Sequence, residues 1–328
     1  MIAYQWCSEM ESDDRDEVLG LVAAAAEYDA EAGFSRVDPG DVTSTDRDGV
    51  RVLHLPIKAR RGLSTRDDAP LAIVAYLHLR IDAEGLGTVQ FVVHPDYRSR
   101  GIATVLVEEI GLDPTAEGGW AGTGAVALRC WAYSTHPAAG RLTRRFGIPP
   151  VSRLWTLFRH LSGPFASPLD PATVPKGISV GDALQFGNPE VPRSIDDVLH
   201  SVPLVPAERE RLEDELRIGT GRILAASDST GSCVGFVWFD PELATHLELR
   251  AASIRGLVVA EAARGSGLGT TLMVMALNAL RDAGAQLALI RIDPKDTGAV
   301  RMCRLMSFEQ EEEHSCYQVG ACAEVPSF

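Results

Sequence analysis

One order of elements is written twice along this chain, and that duplication limits the fold more tightly than any local propensity. In the first half, residues 71–79 (LAIVAYLHL) form an apolar run that reads as a strand. A turn around Gly85 and Gly87 leads to a second strand at 88–94 (TVQFVVH), and after Gly101 the apolar residues Ile102, Val105, Leu106 and Ile110 recur at helical spacing. The second half repeats this with strands at 232–239 (SCVGFVWF) and 252–259 (ASIRGLVV), then Gly267 and a helix over 268–282. Gly101 and Gly267 stand 166 residues apart, and Ala75 and Gly235 stand 160 apart, so the units match with a small insertion. Each half continues with a strand and a short helix, at 125–132 and 138–146, then at 285–292 and 298–306. Each ends on a further strand, near 153–160 and 313–319.

Size agrees with the repeat, because 328 residues divide into two domains that can each build a core. The expected division is 1–161 and 177–328, joined by a linker at 162–176 that holds Pro164, Pro168, Pro171 and Pro175 and little periodicity. Both domains read as α/β (α+β), each a mixed sheet flanked by helices.

A formal charge of −14 argues against a nucleic-acid backbone as partner, since such binding needs a basic face. The N-terminal stretch is acidic and unlike a signal peptide, and no apolar run reaches the length that spans a bilayer, so a cytoplasmic protein with no membrane partner is expected. Its state is expected to be a monomer or homodimer. Cys7, Cys130, Cys233, Cys303, Cys316 and Cys322 lack the spacing of a zinc site and read as free thiols, and no metal is expected.

The two strand-to-helix junctions carry the chemistry. They read Arg98-Ser99-Arg100-Gly101-Ile102-Ala103 and Arg264-Gly265-Ser266-Gly267-Leu268-Gly269, both fitting (Gln/Arg)-x-x-Gly-x-(Gly/Ala). Small residues there let a phosphate approach the backbone, and the unpaired N–H groups of a helix's first turn attract it. A single copy is equally the mark of capping and tight packing; two copies at matching places favour an anion-binding loop.

With these loops the sequence resembles the GNAT acetyltransferases, whose acyl-CoA pyrophosphate loop lies between the fourth strand and the third helix. The resemblance covers nearly the whole chain, twice, and extends to two-domain members through Phe91-Val-Val-His-Pro95, Trp131-Ala132, Val234-Gly-Phe-Val-Trp238 and Ala299-Val-Arg301. It implies a sheet splayed near its middle, with the pantetheine arm of acetyl-CoA in the gap as acyl donor. It places Leu257, Val258 and Val259 against that arm, Arg264, Gly265, Ser266, Gly267, Leu268, Gly269 and Thr270 on the pyrophosphate, and Asp296 through Arg301 on the far side. In the N-terminal copy these roles fall to Phe91, Val92 and Val93, with Arg98, Ser99, Arg100, Gly101, Ile102, Ala103 and Thr104 as the loop.

Direct attack of an amine on a thioester needs a base, oxyanion donors and an acid for the leaving thiolate. Here the resemblance meets departures. The base of two-domain members is a glutamate on the fourth strand, and that position is Ser253, with Gln90 in the first copy. The usual acid is a tyrosine four residues before a closing Gly-Phe; Cys303 stands there, with Thr143 in the first copy, and Gly-Phe is replaced by Ser307-Phe308. Cys303 reads either as a substitute acid or as a small buried hydrophobe. Asp240, Glu248 and Asp293 are alternative carboxylates near strand ends, each also readable as a solvated surface residue.

Some two-domain members acetylate the cysteinyl amine of a glucosaminyl-inositol pseudodisaccharide. The charged residues that grip that acceptor are missing, with Leu204 and Asp240 near two of their places. The expected function is N-acetyl transfer to the primary amine of a small molecule, with the C-terminal copy favoured as the working site because it has both loop glycines. The alternative is an acyl-CoA-binding sensor or scaffold whose catalytic side chains have decayed. A Rossmann-type nucleotide site is disfavoured, because no acidic ribose-binding residue follows a glycine-rich first strand at the required distance.

Overall fold

The computed structural model describes residues 2–29, 37–47, 49–60, 71–185, 195, 198 and 221–321. Leu204 and Cys322 lie outside the described residues. Two compact units emerge, one holding Met1–Arg153 with the stretch from His314, the other Leu154–Glu313.

In the first unit, β1 (Ile2–Tyr4), α1 (Ser12–Tyr28), α2 (Pro39–Val42) and β2 (Arg51–Arg60) precede β3 (Leu71–Ile81) and β4 (Leu86–Val93). Then come α3 (Ile102–Ile110), β5 (Ala127–Ala132) and α4 (Pro137–Arg145). Strands β1 to β4 pair antiparallel in chain order, and β5 returns parallel to β4. The unbroken apolar run of β3 is explained by cover on both faces. Ala75, Leu77, Leu79 and Ile81 share a core with Ile102 and Leu106 of α3, whereas Tyr76 joins Val18, Leu21, Val22 and Ala25 of α1.

The chain goes on through β6 (Pro150–His160), β7 (Ile178–Val180), β8 (Leu184–Gln185), β9 (Arg222–Asp228), β10 (Cys233–His246) and β11 (Leu249–Val259). It closes with α5 (Leu268–Asp282), β12 (Leu287–Ile292), α6 (Thr297–Leu305) and β13 (Glu309–Val319). In the second unit β11 pairs antiparallel with β10 and parallel with β12. Leu268, Leu272, Met273, Ala276 and Leu280 of α5 are buried in one core with Val237 and Phe239 of β10 and Ile254 of β11. Burying each large apolar side chain contributes roughly 1.5–3 kcal/mol, so this packing fixes where the N-terminus of α5 sits against the sheet.

The closing strands are exchanged between the units. Trp155–His160, from the first half of the sequence, pairs antiparallel with Ile292–Leu287 of β12 in the second unit. Ser315–Val319, from the end of the sequence, pairs with Ala132–Leu128 of β5 in the first. Residues 162–176 contain neither helix nor strand and are fastened to the second unit, where Arg159 Nη2 donates to Ser167 O at 2.7 Å and Thr271 Oγ1 donates to Thr173 O at 2.7 Å.

The β10–β11 hairpin is longer than its sequence predicts. Both strands run on to a two-residue turn at Leu247 and Glu248, which have φ of 49° and 60° without being glycine. That segment hides its strand character behind Pro241, a register shift between Asp240 and Ala244, and a turn made of residues that seldom adopt positive φ.

Candidate functional site

Each parallel strand pair comes apart part-way along its length. The β11–β12 ladder ends at Ile254 and Ile290, although β11 continues to Val259 and β12 to Ile292. In the first unit the β4–β5 ladder ends at Val89 and Cys130, although β4 continues to Val93 and β5 to Ala132. A wedge therefore opens beside residues 257–259 and 91–93, where the family resemblance places the acyl-donor arm.

Strand parity sorts these residues. Ala260 N–H donates to Val234 O, so in the period-two ladder Val258 also turns its backbone to β10, while Leu257 and Val259 turn theirs to the wedge. His94 N–H donates to Val74 O, which assigns Val92 to β3, and Phe91 and Val93 to the wedge, in the same way.

Past the wedge, both loops adopt one backbone shape. Gly265 and Gly267 have φ of 76° and 89°, and Ser99 and Gly101 have φ of 60° and 81°. Gly267 and Gly101 are the N-caps of α5 and α3. Among the described residues, the amides of Gly265, Gly267, Gly269 and Thr270 meet no acceptor, whereas Leu268 N–H is held by Ser266 Oγ at 3.3 Å. A side chain built on Gly265 or Gly267 would enter open space, so the two glycines leave room for a ligand rather than for packing. At Gly269 an added Cβ would meet Val259 Cγ2 at an ordinary 3.6 Å, which explains why alanine, Ala103, serves in the first copy.

The loops differ in charge. Arg98 donates to both carboxylate oxygens of buried Asp29, at 2.6 and 2.8 Å, and is neutralised there. Arg264 uses Nε to hold Val259 O at 3.2 Å, and among the described residues its exposed guanidinium meets no carboxylate. Arg100 stacks over Tyr97, its guanidinium 5.0 Å from the ring centroid.

At the point of splay in the second unit, β11 carries a bulge. Trp238 pairs with Gly256 and Phe239 with Ile254, leaving Arg255 as the extra residue. The β3–β4 ladder is regular through the equivalent stretch. Ser253 lies directly across from Asp240, and Arg255 Nη2 donates to Asp240 Oδ2 at 3.0 Å. Asp240 is 8% exposed, so this carboxylate is held at the mouth of the wedge on the sheet face opposite Ile254 and α5. The bulge and the Asp240–Arg255 pair escape sequence reading, because the register that joins them is not written locally.

The other candidates are spoken for. Gln90 Oε1 accepts from His78 Nδ1 at 3.1 Å, at the end of a buried chain in which Ser44 Oγ lies 3.1 Å from His78 Nε2 and His54 Nδ1 lies 2.6 Å from Tyr76 Oη. Burial lowers the pKa of both histidines. Glu248 occupies the hairpin turn, Asp293 caps a turn through Lys295 N–H, and Asp296 caps α6 by accepting from Ala299 N–H at 2.9 Å. Arg301 is exposed on α6.

Cys303 and Thr143 share one structural role. Phe308 N–H donates to Cys303 O and Ser307 N–H to Arg304 O, a Schellman ending in which the third-last helical residue packs against the second residue beyond the cap. Ile148 and Gly147 close α4 on Thr143 and Arg144 identically. Cys303, 2% exposed, accordingly lies in one core with Met306 and Phe308. Burial, with the Asp296 charge adding to it, pushes its thiol up to about 12. Thr143 donates its hydroxyl to Ala139 O.

Residues 193–308, which contain this wedge and loop, match the acetyltransferase (GNAT) family model. The chain as a whole is similar to named acetyltransferases. It is 27% identical to a mycothiol acetyltransferase of Saccharomonospora viridis, over 97% of this chain and 99% of the relative. By fold it is similar to a tandem GNAT protein from the clavulanic acid biosynthesis pathway, with a TM-score of 0.64, 17% identity, and 99% and 100% of the two chains covered. A GCN5-related N-acetyltransferase of Sphaerobacter thermophilus gives a TM-score of 0.61 at 17% identity, covering 97% and 95%. Both the family model matched by 193–308 and the near-full-length relatives are acetyltransferases. No helix of the described residues is long and apolar enough to cross a membrane.

Proposed function

We propose that the second unit takes acetyl-CoA through loop 264–270 and the free edge of β11, and transfers the acetyl group to the primary amine of a small molecule at the mouth of that wedge. One observation carries this reading: the wedge opens at a bulge, beside a buried carboxylate, and leads straight onto four acceptor-free amides at the start of α5. Gly265, Gly267, Gly269 and Thr270 offer N–H donors to the pyrophosphate, and Arg264 adds an uncompensated cation. Leu257 and Val259 offer backbone groups to the arm. The first unit has a wedge and a loop but no bulge on β4, so its role is donor binding at most.

Proton transfer falls to Asp240. Ser253 is a poor base at neutral pH, but a carboxylate, the side chain type that serves as a general base, stands directly across the ladder from it. Cys303 is a poor source for the departing thiolate, because a thiol pushed up to about 12 does not yield its proton to an ordinary thiolate at ~8.5. Water supplies it instead. The test is donor consumption against a panel of amines, where Asp240→Asn should lower kcat by ~10²-fold or more and leave donor affinity nearly unchanged. An unchanged kcat would remove Asp240 from the reaction. The cysteinyl pseudodisaccharide belongs in the panel because relatives carry the name mycothiol acetyltransferase, and with Ser253 at the base position its turnover should be poor, well under the ~10 per second of a typical enzyme.

A second reading, an acyl-CoA-binding sensor or scaffold, is favoured by the commitment of Cys303 to packing. Donor binding without transfer to any amine in the panel would establish it.

A further inference from the structure

The other end of the second unit gathers positive charge that donor binding does not use. Arg159 on β6 is 2% exposed, yet its Nε–H meets no acceptor and no carboxylate pairs with it among the described residues. Its Nη2 is held by Ser167 O at 2.7 Å and Pro168 O at 3.2 Å, which fixes the guanidinium plane. The residue lines a cavity of about 190 Å³ together with His160, Ser167, Pro168 and Arg281, and among the described residues no acidic side chain lines it, although the chain carries a net charge of −14. Arg281 reaches Asp282 only at 3.9 Å, and both are well exposed. The last carbonyls of α5, which would repel an anion, are capped by the N–H groups of Ala283, Gly284 and Ala285. The start of α5, where loop 264–270 lies, is roughly 20 Å away along a helix that rises about 1.5 Å per residue.

We propose that this cavity is a second anion site, built for a small oxyanion of phosphate size and clamped between Arg159 and Arg281. A buried cation without a counter-charge is costly, a planar guanidinium is shaped to bind an oxyanion, and the volume exceeds the ~30 Å³ of a single water several-fold. Occupancy ties residues 167–168 of the linking segment to the end of α5.

The experiment is calorimetric titration with inorganic phosphate on full-length protein carrying Gly267→Glu, which blocks the donor loop. Saturable binding is expected, weakened at least tenfold by Arg281→Gln, a change at an exposed side chain that leaves the fold intact. Arg159→Lys should weaken it as well. Phosphate should also slow proteolysis within 162–176 in the parent and not in Arg281→Gln. Sulfate should compete and acetate should not. Absence of saturable binding overturns the site, as does binding indifferent to both arginine changes; Arg159 would then be only a clamp on Ser167 and Pro168, with its Nε–H on water.

Discussion

Ser307 holds a left-handed conformation, φ 56°, at the position where a Schellman ending usually has glycine. An L side chain costs about 1–2 kcal/mol there, and glycine gives part of that back through its greater freedom when unfolded. Ser307→Gly should therefore stabilise the second unit by roughly 0.5–1 kcal/mol, read as a higher denaturation midpoint at unchanged slope. Cys303, buried one helical turn before Ser307, predicts a pH effect. Its native thiol is pushed up to about 12, so it stays protonated where the unfolded thiol ionises. Stability is intact below the ordinary thiol value of ~8.5 and falls above it by about 1.4 kcal/mol per pH unit for this group, until the native thiol itself titrates. Between pH 9 and 10 the Cys303→Ala protein should lose stability less steeply than its parent, although it starts lower because a buried sulfur is gone. Parallel slopes would show that the thiol is not held protonated.

At the scale of elements, the sequence yields the repeated strand, loop and helix because each is a local pattern: apolar alternation, a glycine at a helix start, helical spacing. The loops could be located at 98–104 and 264–270 for the same reason, and the wedge beside them followed from the family resemblance. Local differences between the copies, such as Gly269 against Ala103, were legible, but the long-range ones were not. The bulge at Arg255 depends on how β10 and β11 register, and the Arg98–Asp29 pair joins residues 69 positions apart. These differences predict unequal copies. Glutamate at Gly267 would place a strained side chain and a negative charge where a pyrophosphate should lie, and Gly101→Glu would do the same to the other loop. Gly267→Glu should abolish turnover and the tight component of acetyl-CoA binding. Gly101→Glu should leave kcat within roughly threefold of the parent, far from the loss expected when catalytic machinery is removed. Equal loss in both would mean that the regular β4 strand supports catalysis too.

For the whole molecule, the exchanged closing strands matter most, because they make each half of the sequence incomplete. Residues 154–160 were legible as a strand but not as a member of the second unit's sheet, since strand pairing is decided by partners far away in sequence. A first half ending at residue 161 lacks the Ser315–Val319 partner of β5 and would expose that ladder edge, while its own β6 would have lost Leu287–Ile292. Open edges of this kind invite aggregation. Fragment 1–161 made alone should be poorly soluble, and so should 162–328. A single proteolytic cut within 162–176, by contrast, severs a segment with no strand or helix and leaves every ladder in place. The nicked chain should elute from gel filtration at the size of the uncut protein, keep its acetyl-CoA affinity, and come apart only in denaturant. Two separately folded, well-behaved fragments after that cut would mean that each half can close its sheet with its own last strand, and the exchange would then be incidental to stability.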